Sequence, residues 1–162
     1  MIEIKSFTNE YGAGVVALIL PIQQAEFDIP ITLNDQPDLL NIPDFYQQGN
    51  GNFWVALADG VVVGTISLLD IGNGQAALRK MFVNAQFRGA AHGVAQRLLS
   101  TLFDWSRTHG IREVYLGTTA KYLAAHRFYE KNSFAEIQKA ELPAKFPVLS
   151  VDSKFYLYRT AT

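Results

Sequence analysis

Gln86-Phe87-Arg88-Gly89-Ala90-Ala91-His92-Gly93-Val94-Ala95 marks the point where one hydrophobic period gives way to another. Behind it, residues 75–83 read as a strand. Ahead of it, residues 92–108 read as a long helix, with Val94, Ala95, Leu98, Leu99, Leu102, Phe103 and Trp105 at helical spacing and Gly110 as the expected left-handed cap. Small residues at 89, 90, 91, 93 and 95 strip side chains from the turn between strand and helix. Backbone N–H groups there can converge on an anion, and the helix dipole adds to the attraction. Arg88 brings a full charge to the same place. A tight turn whose small residues serve only helix–sheet packing fits these residues as well. A P-loop does not fit, because no Gly-Lys-Ser/Thr ends the turn. A dinucleotide fold fits poorly, because the preceding strands are hairpins.

Working upstream, Phe53-Trp54-Val55-Ala56-Leu57-Ala58 and Val61-Val62-Val63-Gly64-Thr65-Ile66-Ser67-Leu68 flank an Asp59-Gly60 turn. Gly72-Asn73-Gly74 turns again into residues 75–83, so the middle of the chain is an antiparallel meander. Residues 2–6 alternate as a first strand. Thr8 or Asn9 is a candidate cap for a helix reaching about Phe27, which Pro21 should kink or divide. A second short helix is expected over residues 36–48. Downstream come a strand at 114–117, a helix at 122–131, and strands at 134–137 and 155–158 joined by a long Pro-bearing loop. This order predicts an α+β fold with a mixed sheet.

Composition bounds what such a domain can do. The 162 residues are 49% hydrophobic, enough for one domain over residues 1–162 with a sizeable core. Fourteen Lys+Arg nearly cancel fifteen Asp+Glu, and a net charge of -1 argues against nucleic-acid or membrane-surface binding. The absence of cysteine excludes disulfides, a thiolate nucleophile and thiolate zinc sites. His92, His109 and His126 have no partner at metal-ligand spacing, so no metal is expected. The amino terminus lacks a basic-then-apolar leader, and the longest apolar stretch, residues 13–22, is well short of the ~20 residues needed to cross a bilayer. A cytoplasmic protein is expected. Phe155, Tyr156 and Tyr158 would suit a homodimer face if they are not core.

Two stretches resemble the GNAT superfamily of N-acetyltransferases. Its pattern Q/R-x-x-G-x-G/A, at the opening of the helix after the fourth strand, is matched by Gln86-Phe87-Arg88-Gly89-Ala90-Ala91. The helix-side part, G-I/L-G/A-x-x-L-L, is Gly93-Val94-Ala95-Gln96-Arg97-Leu98-Leu99, which requires a lengthened turn. A second element, A-x-x-F/L-Y-x-x-x-G-F, is Ala125-His126-Arg127-Phe128-Tyr129-Glu130-Lys131-Asn132-Ser133-Phe134. Ser133 replaces its usual glycine, and Tyr122 stands where an asparagine often reaches the cofactor. The resemblance runs from about residue 53 to residue 134.

It implies a three-layer α/β/α arrangement around a twisted, mostly antiparallel sheet, with acetyl-CoA as acyl donor in a splay between the fourth and fifth strands. Cofactor contacts are implied at Met81, Phe82, Val83, Arg88, Gly89, Ala90, Ala91, His92, Gly93, Val94 and Ala95. The acceptor, an amine on a small molecule or a peptide, attacks the thioester directly and without metal. Such attack needs a neutral amine, a donor to the carbonyl oxygen and a proton for the departing thiolate. A backbone N–H of residues 81–83 is the implied donor and Tyr129 the implied acid; the alternative for Tyr129 is a core tyrosine beside Phe128. Residues 78–83 offer no carboxylate as base, which leaves Glu26, Asp28 or water. Arg79 and Lys80 either bias the site toward an acceptor carrying a carboxylate or are charged residues on a sheet face. Residues 140–151 form a substrate-side flap or a structural crossover. His92 contacts phosphate or begins the helix, and His126 reads as a helix-surface residue. The competing expectation is a non-catalytic acyl-CoA-binding sensor or interaction module on the same fold, motivated by Tyr122 and the missing strand carboxylate.

Overall fold

A computed structural model describes residues 1–89 and 91–160. The strands are β1 (Ile2–Ser6), β2 (Asn52–Ala58), β3 (Val61–Gly72), β4 (Gln75–Val83), β5 (Glu113–Thr118), β6 (Ala135–Ile137) and β7 (Lys154–Arg159). They form one mixed sheet in the order β1-β2-β3-β4-β5-β7-β6. Every neighbouring pair is antiparallel except β4 and β5. Those two pair only at Gln75↔Glu113, Ala76↔Val114 and Ala77↔Tyr115, and beyond that their ladder stops.

The helices are α1 (Gly12–Pro21), α2 (Ile42–Tyr46), α3 (Val94–Thr108) and α4 (Leu123–Lys131). On one face, Val94, Leu98, Leu99 and Leu102 of α3 are fully buried and pack with Tyr129 of α4 against Trp54, Ile66 and Leu68 of the sheet. Each such aliphatic side chain contributes about 1.5–3 kcal/mol of burial. On the other face, Val15, Leu18 and Ile19 of α1 and Ile42 and Tyr46 of α2 cover Phe53, Val55 and Leu57. The remainder of that side is closed by residues 138–153, which drop Phe146 onto Ala77, Tyr115 and Phe155. The three-layer expectation holds.

Local details depart from expectation for identifiable reasons. Pro21 ends α1, and the chain continues as a π-turn over Ile22–Glu26, closed by Phe27 N–H on the Ile22 carbonyl at 3.1 Å. Thr8 caps nothing with its side chain. The helix expected over 36–48 is two pieces, a 3-10 turn at Pro37–Leu40 and then α2, because Asn41 takes a non-helical conformation between them. Pro37 and Pro43 each open one piece, where a missing N–H costs nothing. Helix α3 begins at Val94 and not at His92, because Gly93 is left-handed (φ +62°). Phe134 is no strand residue but ends α4: its N–H reaches the Tyr129 carbonyl at 3.1 Å, while Ser133 N–H reaches Glu130 at 3.2 Å. Phe155 and Tyr156 are buried, and Tyr158 stacks on Phe103 with centroids 4.1 Å apart, so these aromatics are core and form no free dimer face. Among the described residues no helix is long and apolar enough to cross a membrane.

Candidate active site

Where β4 and β5 part, a cavity of about 380 Å³ opens between them. Its walls are residues 78–83, residues 116–119, the π-turn after α1, one side of α4, and the loop before β7. The β4 wall is shaped by a bulge. Thr65 faces Phe82 and Ser67 faces Arg79, so Lys80 and Met81 together face only Ile66. Lys80 accordingly takes a left-handed φ of +54°. The distortion is held by two hydroxyls of β3: Thr65 Oγ1 donates to the Lys80 carbonyl and Ser67 Oγ to the Arg79 carbonyl, both at 2.7 Å. Met81, Phe82 and Val83 all line the cavity.

At the mouth, the small-residue turn is open at Gly89. Gly89 has φ +95°, and a Cβ built there would meet no atom within 4 Å. Helix α3 starts with no side-chain cap and no acid in its first turn, so its leading N–H groups face no protein carboxylate of that turn. Arg88, Gly89 and Ala95 line the cavity; Ala91, His92, Gly93 and Val94 do not. Val94 is fully buried in the core, and His92 is an exposed turn residue tilted against Phe87 at 5.2 Å. Ala90 lies outside the described residues. Arg88 does not extend freely into the cleft. Its Nη1 and Nη2 both engage the Glu26 carboxylate, its Nε donates to the Val83 carbonyl at 2.8 Å, and its guanidinium lies 5.7 Å over the Phe27 ring. Glu26 is thereby committed as an ion-pair partner. Neither it nor Asp28 lines the cavity.

Tyr129 is a core residue that also faces the cavity. Its ring packs against Phe128, Phe134 and Tyr156, yet it also lines the cavity, and its hydroxyl makes no side-chain hydrogen bond among the described residues. Burial, with Tyr122 and Tyr156 nearby, pushes its phenol well above the ordinary tyrosine value. Tyr122, in the usual asparagine position, packs edge-on to Phe27 and Phe82; burial raises its phenol to about 12. His126 is not on the surface: it is 6% exposed, and its Nε2 lies 2.9 Å from the Thr119 carbonyl oxygen.

The β4 wall also carries the charged cluster. Arg79 and Lys80 lie on the sheet but are largely buried, being 13% and 5% exposed in their side chains. Both turn to Asp38, at 3.8 and 3.6 Å. Asp38 accepts from the Tyr46 hydroxyl at 2.6 Å, and that hydroxyl accepts from Arg79 Nε at 3.1 Å. Lys80 Nζ donates to Gln36 at 2.7 Å, and Gln36 and Gln23 exchange amide hydrogen bonds at 2.9 and 3.0 Å. Burial outweighs Asp38 and draws the Lys80 ammonium down to about 8. Two cations thus share one buried carboxylate beside the cavity. Asp38, Tyr46, Gln23 and Gln36 carried no local sequence signal, because their partner, the bulge at residues 79–80, is distant in the chain. Asp152, on the loop before β7, also lines the cavity and was likewise missed.

A bulged strand parting from its parallel neighbour, with a small-residue turn opening a helix at the mouth, defines the N-acetyltransferase class of α/β/α folds. The sequence profile of the Acetyltransferase (GNAT) family matches residues 19–134. The chain belongs to that family. A GNAT-family acetyltransferase from Staphylococcus aureus Mu50 is 37% identical and superposes over 99% of this chain and 100% of its own at a TM-score of 0.96. The N-acetylaspartate synthetase of Homo sapiens is 35% identical over 99 residues, 60% of this chain and 32% of that protein. The chain aligns with less than half the length of the curated relatives it matches. An N-acetyltransferase from Thermoplasma acidophilum, solved in complex with coenzyme A, shares the fold at 17% identity, with a TM-score of 0.73 over 98% of this chain and 99% of that one.

Proposed function

We propose that this acetyltransferase moves an acetyl group from acetyl-CoA to a primary amine by direct attack within a ternary complex, and that its acceptor carries a carboxylate. The observation that carries the reading is the cavity between β4 and β5, with the bulge and Tyr129 on its walls and the Arg79–Lys80 pair beside it. The donor's pyrophosphate fits the turn at Arg88 and Gly89, where no side chain intrudes and the first amides of α3 are uncapped. Acetyl-CoA supplies an activated acyl group as its thioester.

The protein's part is positional and electrostatic. The parted strands leave β4 backbone unpaired by β5 along residues 78–83, and an N–H of residues 81–83 there serves as donor to the thioester oxygen as charge develops on it. Tyr129, its hydroxyl unengaged by other side chains and its proton tightly held, gives that proton to the departing sulfur. Arg79 and Lys80 outnumber the one carboxylate they share, leaving positive charge for an anionic group of the acceptor. A relative named for N-acetylaspartate, an acetylated amino acid, supports an acceptor of that kind.

Calorimetry with acetyl-CoA on the intact protein and on an Arg88→Ala/Gly89→Glu variant tests donor placement. Micromolar binding that the variant loses is the expected result. Amine-dependent release of CoA thiol then tests catalysis; binding without turnover for any amine would mean a sensor and not an enzyme.

A further inference from the structure

The cavity is lined by four charged side chains among the described residues: Arg79, Lys80, Arg88 and Asp152. The three cations have carboxylate partners outside the lining, Asp38 for the first two and Glu26 for the third. Asp152 is the one carboxylate in the lining, and it makes no salt bridge among the described residues. Its setting is constructed. Oδ2 accepts the Leu149 N–H at 2.9 Å, and the next residue anchors the loop to β5, Ser153 N–H donating to the Thr118 carbonyl at 2.9 Å. Across from it β5 has Gly117, where a Cβ would stand 2.7 Å from Asp152 Oδ2. The missing side chain lets the carboxylate lie against the strand at the point where β5 has left β4. Oδ1 has no hydrogen-bond partner among the described residues.

We propose that Asp152 receives the acceptor's ammonium group and takes its proton. This rests on the acetyltransferase reading and supplies the base that β4 lacks. The proton balance closes with two groups. Asp152 removes one proton from the ammonium, freeing the nitrogen lone pair. As that pair forms the C–N bond and the C–S bond breaks, Tyr129 protonates the sulfur and regains a proton from the nitrogen. Asp152 then returns its proton to solvent, and the products are amide and thiol. The Arg79–Lys80 pair on β4 lies near enough to act electrostatically on Asp152, so an amino acid would present its carboxylate to one and its ammonium to the other.

The titration agrees in direction. Burial raises the Asp152 carboxyl above the usual aspartate value, although the Leu149 N–H, Arg79 and Lys80 all pull it down. The remaining titratable groups lining the cavity are Tyr122 just before α4 and Tyr129 within it, both held protonated, and Arg88 at the mouth. A raised carboxyl is a stronger base than a free one.

Asp152→Asn tests this, because the amide oxygen can still accept from Leu149. CoA-thiol release is measured at neutral pH with L-aspartate, spermidine, a lysine peptide and hydroxylamine, alongside acetyl-CoA calorimetry and thermal melting. For acceptors that arrive as ammonium ions, kcat/KM should fall on the order of a hundredfold or more. The loss should shrink as pH rises and the ammonium gives up its proton to solvent without help. Hydroxylamine, already unprotonated at neutral pH, should be acetylated by both proteins at similar rates, with acetyl-CoA affinity and melting unchanged. Equal losses for hydroxylamine and the ammonium acceptors, or no loss for either, overturn the role of Asp152 while leaving the acetyltransferase reading intact. No thiol release by the wild type with any amine removes that reading, and this inference with it.

Discussion

Arg88 and Glu26 hold each other side to side, both guanidinium Nη atoms on both carboxylate oxygens, and so tie the turn after β4 to the π-turn after α1. Each side chain is about a third exposed, 36% and 35%, so the pair contributes no more than about 1 kcal/mol to stability. Its interest lies in competition. If Arg88 serves the donor's phosphates it must leave or share Glu26. Glu26→Gln should therefore leave acetyl-CoA affinity unchanged or tighten it, whereas Arg88→Ala should weaken it about tenfold, a loss of roughly 1.4 kcal/mol. Calorimetry on the two variants separates the possibilities; equal weakening by both would make the pair a structural clamp.

Gly117→Ala asks how closely β5 and the loop before β7 must approach. The added methyl would stand 2.7 Å from Asp152 Oδ2 and 3.1 Å from the Phe155 ring. Backbone strain is not involved, since Gly117 does not take a positive φ. The carboxylate has to move. Turnover is expected to fall while acetyl-CoA affinity persists, with about 1–3 kcal/mol of stability lost to overpacking. Melting and initial rates against amine concentration report the two effects separately.

The contrast between these two sites shows what the sequence could carry. The local pattern around the strand-to-helix junction was legible: the bounds of β4, the small residues at its exit and the stripe on α3 all lie within about 35 consecutive residues. The chemistry on either side was not. Asp38 meets Lys80, Glu26 meets Arg88, and Asp152 meets Gly117, each across a separation set by how the sheet is ordered. A charge at a distance in sequence reads as solvated until the fold brings its partner to it. The helix boundaries at Asn41 and Gly93 were missed for a different reason, since hydrophobic period continues through a residue whose backbone does not.

Ser133 stands at a position where the backbone has φ +73° and ends α4 with the paired Ser133 and Phe134 hydrogen bonds. A side chain there costs about 1 kcal/mol that glycine would not. Ser133→Gly should raise the melting temperature by a few degrees with unchanged kinetics. The unfolded state's greater freedom offsets part of the gain, so a result near zero is the lower bound, and a fall in melting temperature would contradict the left-handed assignment.

Lys80 makes stability depend on pH in a defined window. Folding lowers its ammonium from 10.5 to about 8, so between those values the unfolded chain holds a proton that the native chain has lost. Stability attributable to this group therefore rises with pH across 8 to 10.5, by roughly 3 kcal/mol at most, and the penalty of burying the charge is complete below 8. Lys80→Met removes the titration while Arg79 and Tyr46 still serve Asp38. Denaturant melts should show wild type gaining on the variant over that window and the two changing in parallel below it. The same loss of charge should raise KM for a carboxylate-bearing acceptor as pH passes 8.

Tyr129→Phe separates the two roles of a residue that is core and cavity wall together. Its ring keeps Phe128, Phe134 and Tyr156 in contact in either form, and the hydroxyl makes no side-chain hydrogen bond among the described residues, so melting should move little. Turnover is another matter. Without a proton for the departing sulfur, kcat should fall on the order of a hundredfold with acetyl-CoA affinity retained. Because burial holds the phenol far above its ordinary value, Tyr129 is protonated throughout an assay range of pH 6 to 9, and wild type and variant should share the shape of their rate profiles there. A parallel drop in rate at every pH is the signature of a lost proton donor. A variant with full turnover would leave Tyr129 as packing alone and pass the leaving-group proton to water in the cavity.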